Sequence, residues 1–252
     1  MDAFAAARTD AGLVLLEGFH ALKHALRFGA DLLAAAAADA GAVDRLAERL
    51  APDVRPALAA LVVERPLDGL VGRVPHTGVV AVARRPRVDS RVLLAAAAGP
   101  PVVLLEDPRH PGNLGAVVRV AAAAGAAGVL TTGERDPWDP AALRGSAGLH
   151  FALPVGRADP AALGDRPLVV LDPEGPAELA ALPEGALLAF GSERDGVSAA
   201  LASRACARVR IPMRAGVSSL NLATAVAVAL YIGRSGFSQR SIVQTGRIPT
   251  DS

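Results

Sequence analysis

An amide, a glycine and a guanidinium, those of Asn113, Gly115 and Arg119, follow an apolar run at residues 102–105 at a spacing that suits a binding or catalytic site. Asn113 is suited to cap a helix that begins there, and the missing side chain of Gly115 allows another backbone to approach closely. Arg119 lies on the same helix among alanine and valine, where a guanidinium is costly to bury without a partner. The structural explanation is that Arg119 pairs with Glu106 or reaches solvent, and the functional one is that it belongs to a site.

Two further loops place polar side chains between a strand and a helix. Residues 187–198 run from an apolar strand through a charged turn that contains Glu193. Residues 209–231 pass through a basic, glycine-containing loop into a very apolar helix. Ser219 and Asn221 stand at the head of that helix, where such residues usually cap the unpaired backbone amides. Each loop on its own is better explained by an ordinary strand-to-helix connection than by a site.

These loops belong to a regular alternation of short apolar strands and helices that begins at residue 101. The candidate strands are residues 102–105, 128–131, 168–171, 186–190 and 208–211. Such alternation predicts an α/β fold with a parallel sheet covered on both faces, because parallel neighbours need a crossover that is usually a helix. Ligands of these sheets bind at the carboxyl ends of the strands. No G-x-G-x-x-G segment follows a strand, which disfavours a dinucleotide-binding enzyme.

The first part of the chain is predicted to form a smaller α/β unit. Helical patterns cover residues 17–28, 44–50 and 53–63, a buried strand is predicted at residues 78–83, and Gly29 is placed as a helix stop. Residues 84–101 have a basic start and a Gly-Pro-Pro end, which is typical of a linker. We therefore predict an N-terminal domain with its linker over residues 1–95, a second domain over residues 96–233, and a polar, mobile tail over residues 234–252.

The overall composition excludes several classes of protein. The chain has 252 residues, 52% of them apolar and 20% charged, which is too hydrophobic for intrinsic disorder and sufficient for two cores. With 26 basic against 25 acidic residues, the net charge of +1 excludes a polybasic or strongly acidic protein. Cys206 is the single cysteine, so a disulfide framework is excluded and no metal site is expected.

No membrane segment or targeting signal is expected. The uncharged apolar stretch at residues 220–233 is shorter than the ~20 residues that a membrane-spanning helix needs. The N-terminus has no apolar region behind a basic start, which is not typical of a secretory signal. These features predict a cytoplasmic protein that has no membrane partner.

Taken together, the three loops resemble the SpoU (TrmH-type) RNA ribose 2′-O-methyltransferases of the SPOUT superfamily, over about residues 102–231. The matching patterns are N-x-G-x-x-x-R as Asn113, Gly115 and Arg119; G-x-E-x-x-G as Gly191, Glu193 and Gly196; and I-P-M…S-L-N as Ile211, Pro212, Met213, Ser219, Leu220 and Asn221. Ser146 and Gly148 match a connecting S-x-G element of the family. The N-terminal part is similar, more weakly, to a small substrate-binding domain that many members carry.

The resemblance implies a fold, a cofactor and a reaction. It implies a C-terminal parallel sheet with a deep trefoil knot whose loops hold S-adenosylmethionine, and methyl transfer to a ribose 2′-hydroxyl. The implied cofactor-binding residues are Gly191, Glu193, Ile211, Met213, Ser219 and Leu220, and the implied catalytic residues are Arg119, Asn113, Glu193, Ser219 and Asn221. Glu193 is expected to pair with Arg119 before RNA arrives. Ser219 either contacts substrate or caps its helix, and His110, in the turn before Asn113, is a less favoured catalytic candidate.

The resemblance also implies partners, and alternatives to each remain. It implies a homodimer with residues 222–232 in the interface, and an RNA substrate, ribosomal RNA in preference to transfer RNA. The densest group of basic residues in the linker is Arg84, Arg85, Arg87 and Arg91, which either contact RNA phosphates or are simply solvated. The alternative functions are a non-catalytic RNA-binding protein of the same fold and an unrelated small-molecule enzyme with a doubly wound sheet.

Overall fold

The computed structural model describes residues 2–96, 98–192 and 194–242, with side chains as far as Gly233. Its strands form two sheets, a four-stranded one in the N-terminal part and a seven-stranded one in the C-terminal part. Glu193 and the end of the predicted tail, residues 243–252, lie outside the described residues. The first part of that tail is helical, since the last helix continues to Ile242, which its aperiodic sequence did not indicate.

The N-terminal sheet has both antiparallel and parallel strand pairs. Its strands are β1 Leu13–Glu17, β2 Leu32–Ala37, β3 Val62–Glu64 and β4 Val79–Arg84, in the order β1-β4-β2-β3. Its helices are α1 Ala3–Ala6, α2 Phe19–Arg27, α3 Ala40–Leu50 and α4 Arg55–Leu61. Gly29 follows α2 with φ +72°, and Ala30 N donates to Ala25 O over 2.9 Å, so the predicted helix stop is confirmed.

Three strands of this sheet, β1, β2 and β3, were not predicted from the sequence, and β1 ends at Glu17, where a helix was expected to begin. β2 has the sequence LLAAAA, and alanine is the best helix former, yet the segment pairs with both β3 and β4. The predicted helix at residues 53–63 ends at Leu61, and Val62–Glu64 forms β3. Pairing with neighbouring strands therefore outweighs local preference at β2, while β-branched valines agree with it at β3.

The C-terminal sheet is parallel throughout its described pairings, as predicted. Its strands are β5 Val102–Leu105, β6 Gly128–Thr131, β7 Val155–Arg157, β8 Leu168–Leu171, β9 Ala177–Glu178, β10 Leu187–Phe190 and β11 Ala207–Arg210, in the order β7-β6-β5-β10-β8-β11-β9. All five predicted strands are present within one residue of their expected ends. The additional strands, β7 and β9, are short and lie at the two edges. The trefoil knot that the resemblance implies stays a prediction.

Helices and one 3-10 helix complete this part of the fold. They are α5 Ser90–Ala95, α6 Pro111–Ala124, α7 Pro140–Gly145, the 3-10 helix Leu149–Phe151, α8 Ala199–Ala202 and α9 Leu222–Ile242. The predicted linker thus contains α5, whose Leu94 is buried in the core. A Cβ on Gly115 would lie 2.9 Å from both Gly145 Cα and Ser146 N, so the predicted role of Gly115 in close backbone packing is confirmed.

The two parts of the chain share one hydrophobic core. A single cluster of buried side chains extends from α2 and the N-terminal sheet to α6 and the C-terminal sheet. Polar contacts reinforce the junction: His24 Nδ1 lies 2.8 Å from Ala147 O, and Arg144 Nη1 lies 3.0 Å from Glu17 Oε2. Gly148 packs so closely that a Cβ there would lie 2.8 Å from Ala21 Cα. This junction fixes α2 relative to α7 and the 3-10 helix.

A buried histidine holds the predicted S-x-G element. His150 is 1% exposed, its Nε2 lies 2.9 Å from Pro137 O, and its Nδ1 lies 2.7 Å from Ser146 Oγ. Pro137 O can only accept, so a neutral ring carries its proton on Nε2, and the one hydroxyl proton of Ser146 is shared between His150 Nδ1 and Leu143 O, which lies 3.0 Å from Ser146 Oγ. Burial is the main reason that the pKa of His150 is lowered to about 4.

The buried imidazole makes stability dependent on pH. Because the pKa of His150 is about 4 in the folded protein and near 6.5 in the unfolded chain, protonation favours unfolding, and stability is lost as pH falls from about 6.5 to about 4. We expect this histidine to contribute a loss of about 2 kcal/mol in the free energy of unfolding between pH 7 and 5. His150→Gln removes the titration, so urea unfolding of both proteins isolates it, because His20 and His24 titrate in both. Equal pH dependence of the two proteins would contradict this assignment.

Candidate active site

A cleft of about 550 Å³ opens where β8, β10 and β11 end and α9 begins. The sequence-predicted residues that line it are Asn113, Gly191, Ile211, Met213, Ser219, Leu220 and Asn221. Apolar side chains of Leu171, Phe190 and Leu222 form much of the remaining wall. The structure therefore brings one residue of the first loop together with the second and third loops, at the strand ends where α/β sheets bind ligands.

Gly191 shapes one side of the cleft by having no side chain. A Cβ at this position would overlap the backbone of Gly196 and the amide of Val197. Ser192 and Gly196 exchange backbone hydrogen bonds of 3.1 and 3.2 Å, which close the turn against Gly191. The cleft thus presents main-chain groups that a ligand can approach closely.

Two asparagines connect the first loop to the third. Asn221 Nδ2 donates to Asn113 Oδ1 over 3.2 Å, and Asn221 Oδ1 accepts from the backbone amides of Ala223 at 3.0 Å and Thr224 at 3.4 Å. Asn221 therefore caps α9 and also fixes Asn113. The prediction that Asn113 caps α6 is wrong, because that helix begins at Pro111, and Asn113 lies inside its first turn.

Ser219 lies on the wall of the cleft and is exposed. Asn221 makes the capping hydrogen bonds of α9, so the capping explanation of Ser219 is wrong. The alternative, a contact with a ligand or substrate, stays a prediction. His110 occupies the N-cap position of α6 without a capping hydrogen bond from its side chain, and it is not among the cleft residues.

Arg119 lies away from this cleft, exposed on α6. Of the two structural explanations of Arg119, reaching solvent agrees with its exposure, and pairing with Glu106 does not occur, because both carboxylate oxygens of Glu106 accept from Ser198. The expected pair with Glu193 involves a residue outside the described part of the chain. Arg119 instead lies close to α2 of the N-terminal part, where its positive charge contributes to lowering the pKa of both His20 and Lys23, after the larger effect of burial on each.

Glu106 does not line the cleft but contacts the end of the second loop, a role that we did not predict from the sequence. Its Oε2 accepts from Ser198 N at 2.7 Å, and its Oε1 accepts from Ser198 Oγ at 2.6 Å. Ser198 Oγ also accepts from Leu201 N at 3.2 Å and so caps α8. The carboxylate therefore ties the end of β5 to the end of the second loop. A glutamate placed directly after a buried strand was the available signal.

The linker arginines are not a uniform basic surface. Arg85 forms a bidentate pair with Asp136, at 2.7 and 2.8 Å, and lies over the Trp138 ring. Arg84 pairs with Asp31 at 2.9 Å. These two arginines are thus partly neutralised within the protein, which weakens the prediction that they contact RNA phosphates. Arg87 and Arg91 are exposed.

Comparison with known proteins decides the family. A sequence model described as the SpoU rRNA Methylase family matches residues 100–231, more than half of the chain. The chain belongs to the SpoU family. The matched residues cover all three loops, the cleft and both asparagines of this SpoU-family chain.

Named relatives of this SpoU-family chain act on ribosomal RNA. The chain is 37% identical over 142 residues to the 23S rRNA (adenosine(1067)-2′-O)-methyltransferase of Streptomyces laurentii, covering 52% of each chain. It is 33% identical over 143 residues to the 23S rRNA (guanosine(2553)-2′-O)-methyltransferase of Bacillus subtilis, covering 52% of this chain and 56% of that one. The matches thus span about half the length of these curated relatives.

Solved structures match nearly the whole of this SpoU-family chain. The AdoMet-bound rRNA methyltransferase from Sinorhizobium meliloti aligns with a TM-score of 0.73 at 26% identity and covers 93% of both chains. The SpoU methyltransferase AviRb from Streptomyces viridochromogenes, in complex with AdoMet, aligns with a TM-score of 0.73 at 27% identity, covering 97% of this chain and 98% of that one. The predicted fold class, a C-terminal SPOUT-type parallel sheet with a smaller N-terminal α/β part, is confirmed.

Two negative findings apply to the described residues alone. None of the helices there is both long and apolar enough to cross a membrane. Within the same residues, no group of three or more His, Cys, Asp or Glu side chains could hold a metal ion.

Proposed function

We propose that this chain is an S-adenosylmethionine-dependent methyltransferase that modifies the ribose 2′-hydroxyl of ribosomal RNA. The observation that carries the proposal is that Gly191, Ile211, Met213, Ser219 and Leu220, predicted from motif positions alone, line one cleft. Glu193 belongs to the same loop and is proposed with them. The choice of ribosomal RNA is supported by the printed activities of the relatives, and the choice of cofactor by the solved neighbours with AdoMet bound.

The cleft fits the proposed cofactor in size and chemistry. Its volume of about 550 Å³ lies within the usual range for small-molecule sites. Leu171, Phe190, Ile211 and Leu222 offer apolar surface suited to an adenine ring, and the turn behind Gly191 offers backbone hydrogen-bonding groups. Asp172 and Asn221 add polar side chains at the wall. When bound, S-adenosylmethionine supplies a methyl group on a positively charged sulfur, which is a good leaving group.

The protein has to activate a weak nucleophile, the ribose hydroxyl. The bond that forms joins the 2′-oxygen to the methyl carbon, the sulfur–methyl bond breaks, and the hydroxyl proton passes to an RNA phosphate or to water. Arg119 holds that phosphate and stabilises the negative charge that develops on the 2′-oxygen. A guanidinium, with a pKa above about 12, is suited to this electrostatic role rather than to accepting the proton. Asn113 and Asn221 orient the groups at the cleft.

We further propose that two copies of the chain complete the site. Arg119 lies outside the cleft of its own chain. A second copy of the chain would complete the active site by placing its Arg119 at this cleft. The proposed interface includes residues 222–232 of α9. Val226, Ala229 and Leu230 pack inside the chain, which leaves the opposite face, with Tyr231 half exposed, for the partner. Sedimentation at micromolar concentration should show twice the 25.5 kDa chain mass. A species of only 25.5 kDa would refute the dimer.

Calorimetric titration with S-adenosylmethionine tests the proposed function. We expect saturable binding of one molecule per chain, displaced by S-adenosylhomocysteine. If neither binding nor competition is detected, the proposed function is wrong, and the result favours the non-catalytic RNA-binding alternative.

Glu106 is predicted to act as a positioning residue for the cofactor loop. Glu106→Ala removes both hydrogen bonds to Ser198, so the second loop loses its tie to β5. We expect the Kd for S-adenosylmethionine to rise about tenfold. A hydrogen bond to a charged acceptor is typically worth about 1.5–3 kcal/mol, and the two bonds of Glu106 contribute less because they are exposed. Glu106→Gln is the matched control, because its amide can still accept from Ser198 N and should recover most of the affinity. An unchanged Kd in Glu106→Ala would show that the hydrogen bonds between Glu106 and Ser198 do not contribute to cofactor binding.

A further inference from the structure

A second cleft, of about 720 Å³, lies where the N-terminal part meets α7, separate from the cofactor cleft. We call it the junction groove, and the side chains that define it are Glu17, His20, Arg73, His76, Thr77 and Arg144. It is formed by the start of α2, the loop before β4 and the end of α7. No residue of the three family motifs lines it.

The lining of the junction groove holds two arginines and two histidines against one carboxylate. Glu17 is the single carboxylate among the lining residues, and Arg144 already pairs with it at 3.0 Å. Arg73 and His76 are exposed, and no carboxylate among the side chains that the structure describes forms an ion pair with either. Unlike the linker arginines Arg84 and Arg85, Arg73 therefore remains available to an anion.

Basic residues of α2 interact electrostatically both with the junction groove and with Arg119. His20 and Lys23 are separated by three positions on α2, which places them on the same side of the helix. Burial, followed by the charges of Lys23, Arg119 and His76, lowers the pKa of His20. Burial also lowers the pKa of Lys23, with Arg27 and Arg119 adding to the effect against the opposing charge of Asp53. Lys23 and Arg119 therefore lie within electrostatic reach of the groove residue His20.

Basic side chains that lie close together repel one another in the isolated protein and favour the binding of a polyanion. The charge of Asp53 opposes the lowering of the Lys23 pKa, but Asp53 is itself held by Arg27 in an ion pair of 2.6 Å. Like charges brought together repel one another, and successive phosphates of a nucleic acid neutralise them while releasing counterions. An acidic protein segment would also neutralise these basic side chains. An RNA substrate would in addition extend to Arg119, because its target ribose has to reach that residue for the proposed reaction.

We propose that the junction groove binds the phosphate backbone of the RNA substrate and that Lys23 continues this track to Arg119. The inference rests on the proposed function and deepens it by placing RNA contacts at the junction of the two parts of the chain. Arg73 and His76 contact phosphates away from the reaction, and Lys23 contacts a phosphate nearer to the target ribose. The track carries no sequence information by itself, since phosphate contacts position a strand without reading its bases.

Charge reversal at the groove tests this proposal. The probe is an in vitro transcript of bacterial 23S rRNA, and its Kd for the full chain is measured at several KCl concentrations. Arg73→Glu and Lys23→Glu should each raise the Kd about tenfold or more at low salt, and should reduce the slope of log Kd against log salt by roughly one. Arg49→Glu, an equal charge change at an exposed position of α3 outside the groove, is the matched control and should stay within about twofold.

The outcomes separate this proposal from the proposed function. In Arg73→Glu and Lys23→Glu the affinity for S-adenosylmethionine should equal that of the wild type, which also shows that both variants are folded. If the wild type methylates the transcript and both variants bind it as Arg49→Glu does, the junction groove proposal is overturned and the proposed function stands. If the wild type neither binds nor methylates RNA, the proposed function fails as well. Binding of polyglutamate in place of the transcript would overturn the proposal in favour of an acidic protein partner.

Discussion

Arg119→Ala should lower kcat for RNA methylation by about 10²–10³-fold, because one preorganised group that stabilises developing charge is typically worth that much. Arg119 does not line the cofactor cleft, so the Kd for S-adenosylmethionine should change by less than about twofold. The effect should therefore appear in single-turnover methyl transfer measured with saturating cofactor and RNA. This separation of catalysis from cofactor binding is the expected signature of an arginine that acts on the ribose and its phosphate.

Arg119→Lys is the control for charge. Lysine keeps a positive charge but lacks the planar fork of the guanidinium, so it should recover only part of the lost rate. If alanine at this position retained the wild-type rate, both the phosphate-clamping role and the role in stabilising the 2′-oxygen would be refuted. A loss confined to the Kd for S-adenosylmethionine would instead show that Arg119 belongs to the cofactor site.

Gly191→Ala should abolish cofactor binding, with a Kd raised by about 100-fold or more. The added methyl group would overlap the backbone of Gly196 and Val197, so the turn that closes the cleft has to move away from its present position. Isothermal titration with S-adenosylmethionine measures the loss directly. The rest of the sheet is not required to rearrange, so the far-ultraviolet circular dichroism spectrum should remain that of the wild type.

Gly112→Ala provides the matched control for this substitution. Gly112 lies in the first turn of α6, and a Cβ there would meet no atom within 4 Å. Its cofactor affinity should equal that of the wild type. If Gly191→Ala also bound S-adenosylmethionine normally, the turn at residues 191–196 would not form the wall of the cofactor site.

Much of the C-terminal fold could be predicted because its strands are buried on both faces. A continuous apolar run such as that of β5, followed by a turn and a helix, is a strong local signal. The alanine-rich β2 gave the opposite signal, since its strand conformation depends on neighbours that are distant in sequence. The edge strands β7 and β9 are too short to form a pattern.

The sequence indicated which residues belong to the candidate site better than it indicated the contacts between them. Motif positions alone identified part of the lining of the cleft, and they did not indicate the apolar wall formed by Leu171, Phe190 and Leu222. The hydrogen bond between Asn113 and Asn221 and the tie from Glu106 to Ser198 join residues about a hundred positions apart, and no local rule pairs them. The proximity of Arg119 to α2 has the same origin, because it depends on how the two parts of the chain pack.

Nucleoside analysis of methylated RNA is the most direct test of the central claim. The purified protein is incubated with S-adenosylmethionine and a 23S rRNA transcript, the RNA is digested to nucleosides, and the products are analysed by mass spectrometry. We expect one 2′-O-methylated nucleoside whose formation requires both the cofactor and Arg119. A methyl group on a base, or RNA that stays unmodified while the cofactor is bound, would contradict it.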